Sequence, residues 1–248
     1  MVGRASPLLS RPGTAALTGL LGALVLWEAF AGSAPEVADR WDVAWIAVVL
    51  LPLTFGVVWA LAPLADARGL VPVAAATGVL AVLLSLAGLG ALFNVAKLLG
   101  YALAGFVFLS LFEALSWVVL VSVLVPLVDI GSVYRGPTKV VVEQEPGLFD
   151  RISISFRLSG EDASANIGPP DILFFALFLA TAARFGLRVL WTWISMTTLL
   201  ALTLVATYAL DLNGLPALPA VSLGFLLPNA DLLLSRWRRQ RARRDGQG

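Results

Sequence analysis

The chain has 248 residues, 59% of them hydrophobic and only 13% charged, about half the charged share of roughly 25% found in an ordinary soluble domain. It contains no histidine and no cysteine, which excludes Ser-His triads, Cys-His pairs, His-ligated zinc or haem, disulfides and thiolate metal clusters. Chemistry must come from carboxylates, hydroxyls, Lys or Arg, with no metal or cofactor expected; the formal charge of +1 says little about partners.

A membrane span needs about 20 apolar residues. Apolar runs of that scale predict helices over residues 14–31, 43–64, 70–93, 98–112, 114–133, 171–187, 189–210 and 215–234, an all-α polytopic membrane protein. The first run also has the look of a secretory signal, with Arg4 and Arg11 ahead of it and a small-x-small site at Ala29-Phe30-Ala31, although uncleaved first helices share those flanks. Residues 70–133 are nearly unbroken apolar sequence, divided only by Asn94, Lys97 and Glu113.

Residues 134–170 form the one long polar segment. Within it, residues 151–158 alternate apolar and polar with period two, and residues 138–143 are rich in β-branched side chains. The pattern predicts either a short hairpin turning at Glu145-Pro146-Gly147 or an amphipathic ribbon on the bilayer surface. The organisation expected is an N-terminal transmembrane bundle over 1–133, a polar loop over 134–170, a C-terminal bundle over 171–235 and a basic tail over 236–248.

Six of the 17 basic residues are arginines within 236–244. Such a tail in a membrane protein marks the cytoplasmic side more often than it binds nucleic acid. With that end cytoplasmic, eight spans put Arg4, Arg11, Arg68, Arg184, Arg188 and the six tail arginines inside, 11 of 17, and leave Arg40, Lys97, Arg135, Lys139, Arg151 and Arg157 outside. The polar loop is then extracytoplasmic.

Ionisable groups within apolar spans cost roughly 2.5–3.5 kcal/mol each on insertion scales, so each needs a reason. Glu28 and Glu113 stand near the ends of their runs, where interfacial or water-facing positions explain them. Asp129 follows a strongly apolar run and precedes the polar loop; Asp171 begins the next span at the mirror-image place. Two carboxylates held close cannot both ionise cheaply and titrate as a pair. One member can activate water while the other protonates a carbonyl, the logic of aspartic peptide hydrolysis. Gly168-Pro169-Pro170-Asp171 is equally an ordinary helix start, with proline at the first position and an acid at the positive end of the dipole. Pro216 and Pro219 remove two backbone donors at the start of the last run, which predicts irregular backbone at membrane depth.

Taken in order, these segments resemble the presenilin and signal-peptide-peptidase family of intramembrane aspartyl proteases. Val128-Asp129, with Gly136-Pro137 and Val142-Glu143 downstream, is similar to that family's first aspartate segment and its presenilin-type continuation. Gly168-Pro169-Pro170-Asp171 stands where the family carries Gly-x-Gly-Asp, and Pro216-Ala217-Leu218-Pro219 matches its Pro-Ala-Leu motif. The resemblance spans residues 128–231 and departs from the pattern at Val128, in place of tyrosine, and at Pro170, in place of glycine.

The resemblance implies a bundle of eight or nine transmembrane helices with a short hairpin-containing loop between the two catalytic helices. It implies Asp129 and Asp171 as the catalytic pair of an aspartic endopeptidase, with Gly168, Pro216, Ala217 and Leu218 shaping the substrate site and Val140 and Val141 holding substrate as an added strand. Partners would be transmembrane polypeptide substrates and the lipid bilayer, with no nucleic acid, in a prokaryotic plasma membrane. Two other readings stay open: a non-catalytic relative that binds transmembrane segments, and a transporter relaying protons or cations through the same aspartates.

Overall fold

The structure, a computed structural model, describes residues 11–135, 146–161, 163–212 and 214–245. Helix α1 covers Arg11–Phe30, α2 Asp39–Leu64, α3 Leu70–Leu86, α4 Gly90–Leu109 and α5 Leu115–Arg135. A short α6 (Pro146–Ile152) leads into β1 (Ile154–Arg157) and β2 (Ser164–Ile167). Then come α7 (Pro169–Arg184), α8 (Val189–Ala209) and α9 (Leu218–Leu226), the last continuing through a tight turn at Leu227–Asn229 into α10 (Ala230–Asp245). Six helical segments are long and apolar enough to cross a bilayer, and α3 and α7 are shorter. The protein is an all-α polytopic membrane protein.

The helices start and break for local reasons. In α2, Pro52 has no N–H to return to the carbonyl one turn back, and just ahead of it Ile46–Leu50 widens to π geometry, with the Leu51 N–H reaching the Ile46 carbonyl. Gly88, with φ +70°, makes the left-handed turn between α3 and α4. That turn corrects one sequence boundary: Asn94 and Lys97 do not divide two spans but lie inside α4, where Lys97 is 7% exposed. Lys97 is therefore no loop residue. Three helices occupy residues 70–135, and no ninth span appears among the described residues.

Helix α7 is the centre of the bundle. Its residues from Phe175 to Ala182 are buried almost without exception, as expected for a helix apolar on every face. It packs on α4, α9, α8 and α2. Phe175 stacks on Phe55 of α2 at 3.9 Å between centroids, and Phe178 on Phe225 of α9 at 4.9 Å. Lipid tails are as apolar as leucine, so contact between helices relies on close packing and hydrogen bonds rather than on exclusion from water. Small residues permit that closeness: a Cβ at Gly105 of α4 would collide with the Leu173 carbonyl of α7, and one at Gly224 of α9 with the Met196 backbone of α8. Valines and leucines of α3 and α5, among them Val79, Leu86, Val123 and Leu127, stay exposed, as lipid-facing side chains do.

Polar contacts gather at two opposite ends. At one, Arg184 meets Asp66 and the Leu109 carbonyl, Arg188 pairs with Asp231, and Arg236 donates to the Phe185 carbonyl. At the other, the hairpin sits against the ends of α1, α2 and α4. This grouping requires the long helices to alternate in direction. α1 packs into the bundle against α2 and α4.

The hairpin exists but turns elsewhere than the sequence pattern suggests. β1 and β2 are antiparallel, with Ile154 opposite Ile167 and Arg157 opposite Ser164. Its turn passes through Gly160 (φ +75°), and the expected turn at Pro146-Gly147 instead begins α6. Proline at a first helical position explains that start, since its missing N–H has no intrahelical partner to lose. The proposed strand over 138–143, with Val140 and Val141, lies outside the described residues.

Candidate active site

Asp171 is the third residue of α7. Its backbone N–H donates to the Gly168 carbonyl at 3.2 Å and its Oδ2 accepts the Gly168 N–H at 3.2 Å, a reciprocal capping arrangement. Pro169 and Pro170 fill the first two helical positions, where a missing N–H breaks no bond. The helix-start reading of this motif is thus a fact of the structure. Among the described residues it leaves the carboxylate committed through one oxygen only. Pro170 is exposed.

Asp129 lies on α5, a turn beyond Pro126, which interrupts the helical ladder there. Its Oδ2 accepts the backbone N–H of Leu218 at 3.0 Å. Leu218 is the first residue of α9, Ala217 caps that helix, and Pro219 follows. Irregular backbone before α9 ends at Ala217, so the expected irregular stretch is found on its N-terminal side while Pro219 joins the helix. Asp129 therefore sits at the positive end of α9 as Asp171 sits at that of α7. Val128, by contrast, is 69% exposed and points away from the groups that hold Asp129.

Helices α5, α7 and α9 contact one another pairwise. The structure thus brings together Asp129, Asp171, Gly168 and Leu218, with Pro216 and Ala217 half-buried on the approach to α9. Both acids are themselves half-buried, each with one oxygen bonded to backbone. Chemically, the arrangement offers two carboxyl groups on contacting helices, each held, among the described residues, by a backbone N–H rather than by a cation. Among the described residues no group of three acidic side chains gathers that would bind a metal ion.

A second polar cluster was not legible as a site. Glu28 of α1, read as an interfacial acid, is half-buried and accepts the Arg157 N–H, with the Arg157 and Lys97 charges acting on it. Trp27 Nε1 donates to the Arg157 carbonyl at 3.1 Å, and Asp42 Oδ1 accepts from the Ser159 N–H and hydroxyl at 3.1 and 2.7 Å. Asn94, Lys97 and Tyr101 of α4 bind the backbone of residues 151–155. Their spacing along an apolar run was the available signal, because it puts three polar side chains on one helix face. An open groove beside this cluster is lined by Trp27, Trp41, Asp42, Trp45 and Val48, and by neither Asp129 nor Asp171. Glu113 lies exposed in the turn between α4 and α5. No protein-family model matches this chain, and no curated protein matches it.

Proposed function

We propose that the protein is an intramembrane aspartyl protease, resembling presenilin and signal peptide peptidase, that hydrolyses peptide bonds within transmembrane segments through Asp129, Asp171 and water. The observation that carries this reading is the hydrogen bond from the Leu218 N–H to Asp129, which joins the Pro-Ala-Leu segment to one aspartate while α7, which carries the other, contacts α5. In the reaction, the ionised member takes a proton from water as the oxygen attacks the scissile carbonyl, and the protonated member gives its proton to the carbonyl oxygen. Collapse of the tetrahedral adduct returns a proton to the leaving amine.

The substrate helix must unwind to expose that carbonyl. The outer edge of β2 suits an unwound segment, because Ser164 and Asn166 direct their backbone groups away from β1, and the strand runs directly into Gly168 and Asp171. With the arginine-rich tail in the cytoplasm of a prokaryotic cell, the hairpin is extracytoplasmic and substrates with a cytoplasmic N-terminus are favoured.

The test is cleavage of a model transmembrane peptide in liposomes by wild type, Asp129→Asn and Asp171→Asn. Asparagine keeps an acceptor for the Leu218 or Gly168 N–H, so each variant is expected to fold and to cut nothing. Cleavage surviving in either variant removes that aspartate from the mechanism. A wild type that binds the peptide but never cuts it assigns a non-catalytic binding role, and proton-coupled flux without peptide product assigns transport.

A further inference from the structure

The hairpin that leads to Asp171 is gripped on its β1 side by a membrane helix. On α4, Asn94, Lys97 and Tyr101 recur at i, i+3 and i+7 and share one face. Asn94 holds Ser155 at both backbone groups, donating from Nδ2 to the carbonyl at 2.7 Å and accepting the N–H at Oδ1 at 3.0 Å. The Lys97 ammonium donates to the carbonyls of Arg151, at 3.1 Å, and Ser153, and the Tyr101 hydroxyl to that of Ile152 at 2.6 Å. Asn94 thus occupies, at Ser155, the edge of β1 that a third strand would take, and Lys97 and Tyr101 hold the residues just before it. The other edge of β1 pairs with β2, so gripped Ser155 faces Asn166 and the adjoining Ile154 faces Ile167. Only Gly168 and two prolines separate Ile167 from Asp171, and Gly168 is bonded to Asp171 in both directions. That connection has little slack, so a shift of the hairpin is passed to the acid.

We propose that Asn94, Lys97 and Tyr101 are positioning residues that set Asp171 against Asp129 through the hairpin, an assignment that rests on the protease reading of that pair. Satisfying a buried lysine would take any acceptor; three side chains converging on residues 151–155, from the end of α6 into β1, define the register and depth at which the hairpin begins. None of the three is hydrogen-bonded to Asp129 or Asp171, so they act through the end of α6 and the hairpin.

The chain has no cysteine, so introduced thiols can be labelled without background. Nitroxides at Val128→Cys and Ser164→Cys, both exposed, report the separation of α5 and β2 by pulsed electron resonance in the full chain in lipid nanodiscs. The expected result is a narrow distance distribution that broadens in Asn94→Ala and Lys97→Met. Without labels, the same two variants should lose on the order of a hundredfold in kcat, as for an ångström-scale misplacement, with KM within about twofold. Lys97→Arg should restore most of both readouts. If Asn94→Ala and Lys97→Met fail to fold, Tyr101→Phe, which removes a single O–H, should broaden the distribution to a smaller degree. A fall in kcat with an unchanged distribution overturns the proposal, as does broadening with kcat intact. If wild type cuts nothing while the distribution still broadens, control of the hairpin's position stands and the protease reading fails.

Discussion

The closeness of α4 to α7 is open to a direct test at Gly105. A Cβ added there would lie 2.9 Å from the Ala176 Cβ and closer still to the Leu173 carbonyl oxygen. Carbon atoms settle about 3.5–4.0 Å apart, so alanine asks the two helices to part by roughly 1 Å. Helix α7 has nowhere to retreat, with Phe175 and Phe178 fully buried against α2 and α9 on its other sides. Gly105→Ala is therefore expected to cost about 1–3 kcal/mol as overpacking. In a chain of this size that corresponds to a melting temperature lower by roughly 2–12 °C. Gly100, on the same helix, has nothing within 4 Å of its added Cβ. Gly100→Ala should shift stability the other way, by up to about 1 kcal/mol, through helix propensity alone. Thermal unfolding of the two single variants in one detergent compares them directly. Equal shifts, or a Gly105→Ala protein as stable as wild type, would refute the close approach.

Two further expectations follow from the ends of the bundle. A reporter fused after Gly248 should be cytoplasmic and one inserted near Gly160 extracytoplasmic; the opposite pair of results overturns both the orientation and the substrate polarity drawn from it. Pro170→Gly restores the glycine of the family motif at an exposed second helical position, and should lower stability by about 0.4–1 kcal/mol by loosening the unfolded chain. Cleavage by Pro170→Gly should equal or exceed that of wild type in a liposome assay from about pH 4 to 8, the span over which carboxyl pairs commonly exchange a proton. If wild type cuts nothing and the variant gains activity, the natural protein is a binding relative that keeps the aspartate arrangement.

Hydropathy made the membrane helices legible, because a bilayer fixes both their length and their apolar character, and the structure departs from the expected bounds by a few residues at most ends. It failed at Asn94 and Lys97, where polarity was read as a boundary. Those residues are tolerated inside α4 because backbone groups distant in sequence, at Ser153 and Ser155, satisfy them, and a linear pattern carries no record of such partners. The hairpin's period-two alternation over 151–158 was a true strand signal. Its partner strand, Ser164–Ile167, lacks β-branched residues apart from Ile167 and was missed, because its place is set by pairing rather than propensity. The approach of the Pro-Ala-Leu backbone to Asp129 lies across 89 residues of sequence. Only the resemblance suggested that those segments belong together.

The grip of α4 on the hairpin also bears on how the protein is made. Synthesis delivers α1 to α4 into the bilayer well before residues 151–155 emerge, so Asn94 and Lys97 enter apolar surroundings without the backbone groups that later satisfy them. A lysine in a span costs roughly 2.5–3.5 kcal/mol on insertion scales, and until the hairpin arrives it lacks the two backbone carbonyls that accept from it. The early helices are thus kept from settling as a closed unit until the hairpin arrives. The late segment that brings Asp171 is the same one that completes them, which ties the finished state of the bundle to the presence of its second acid.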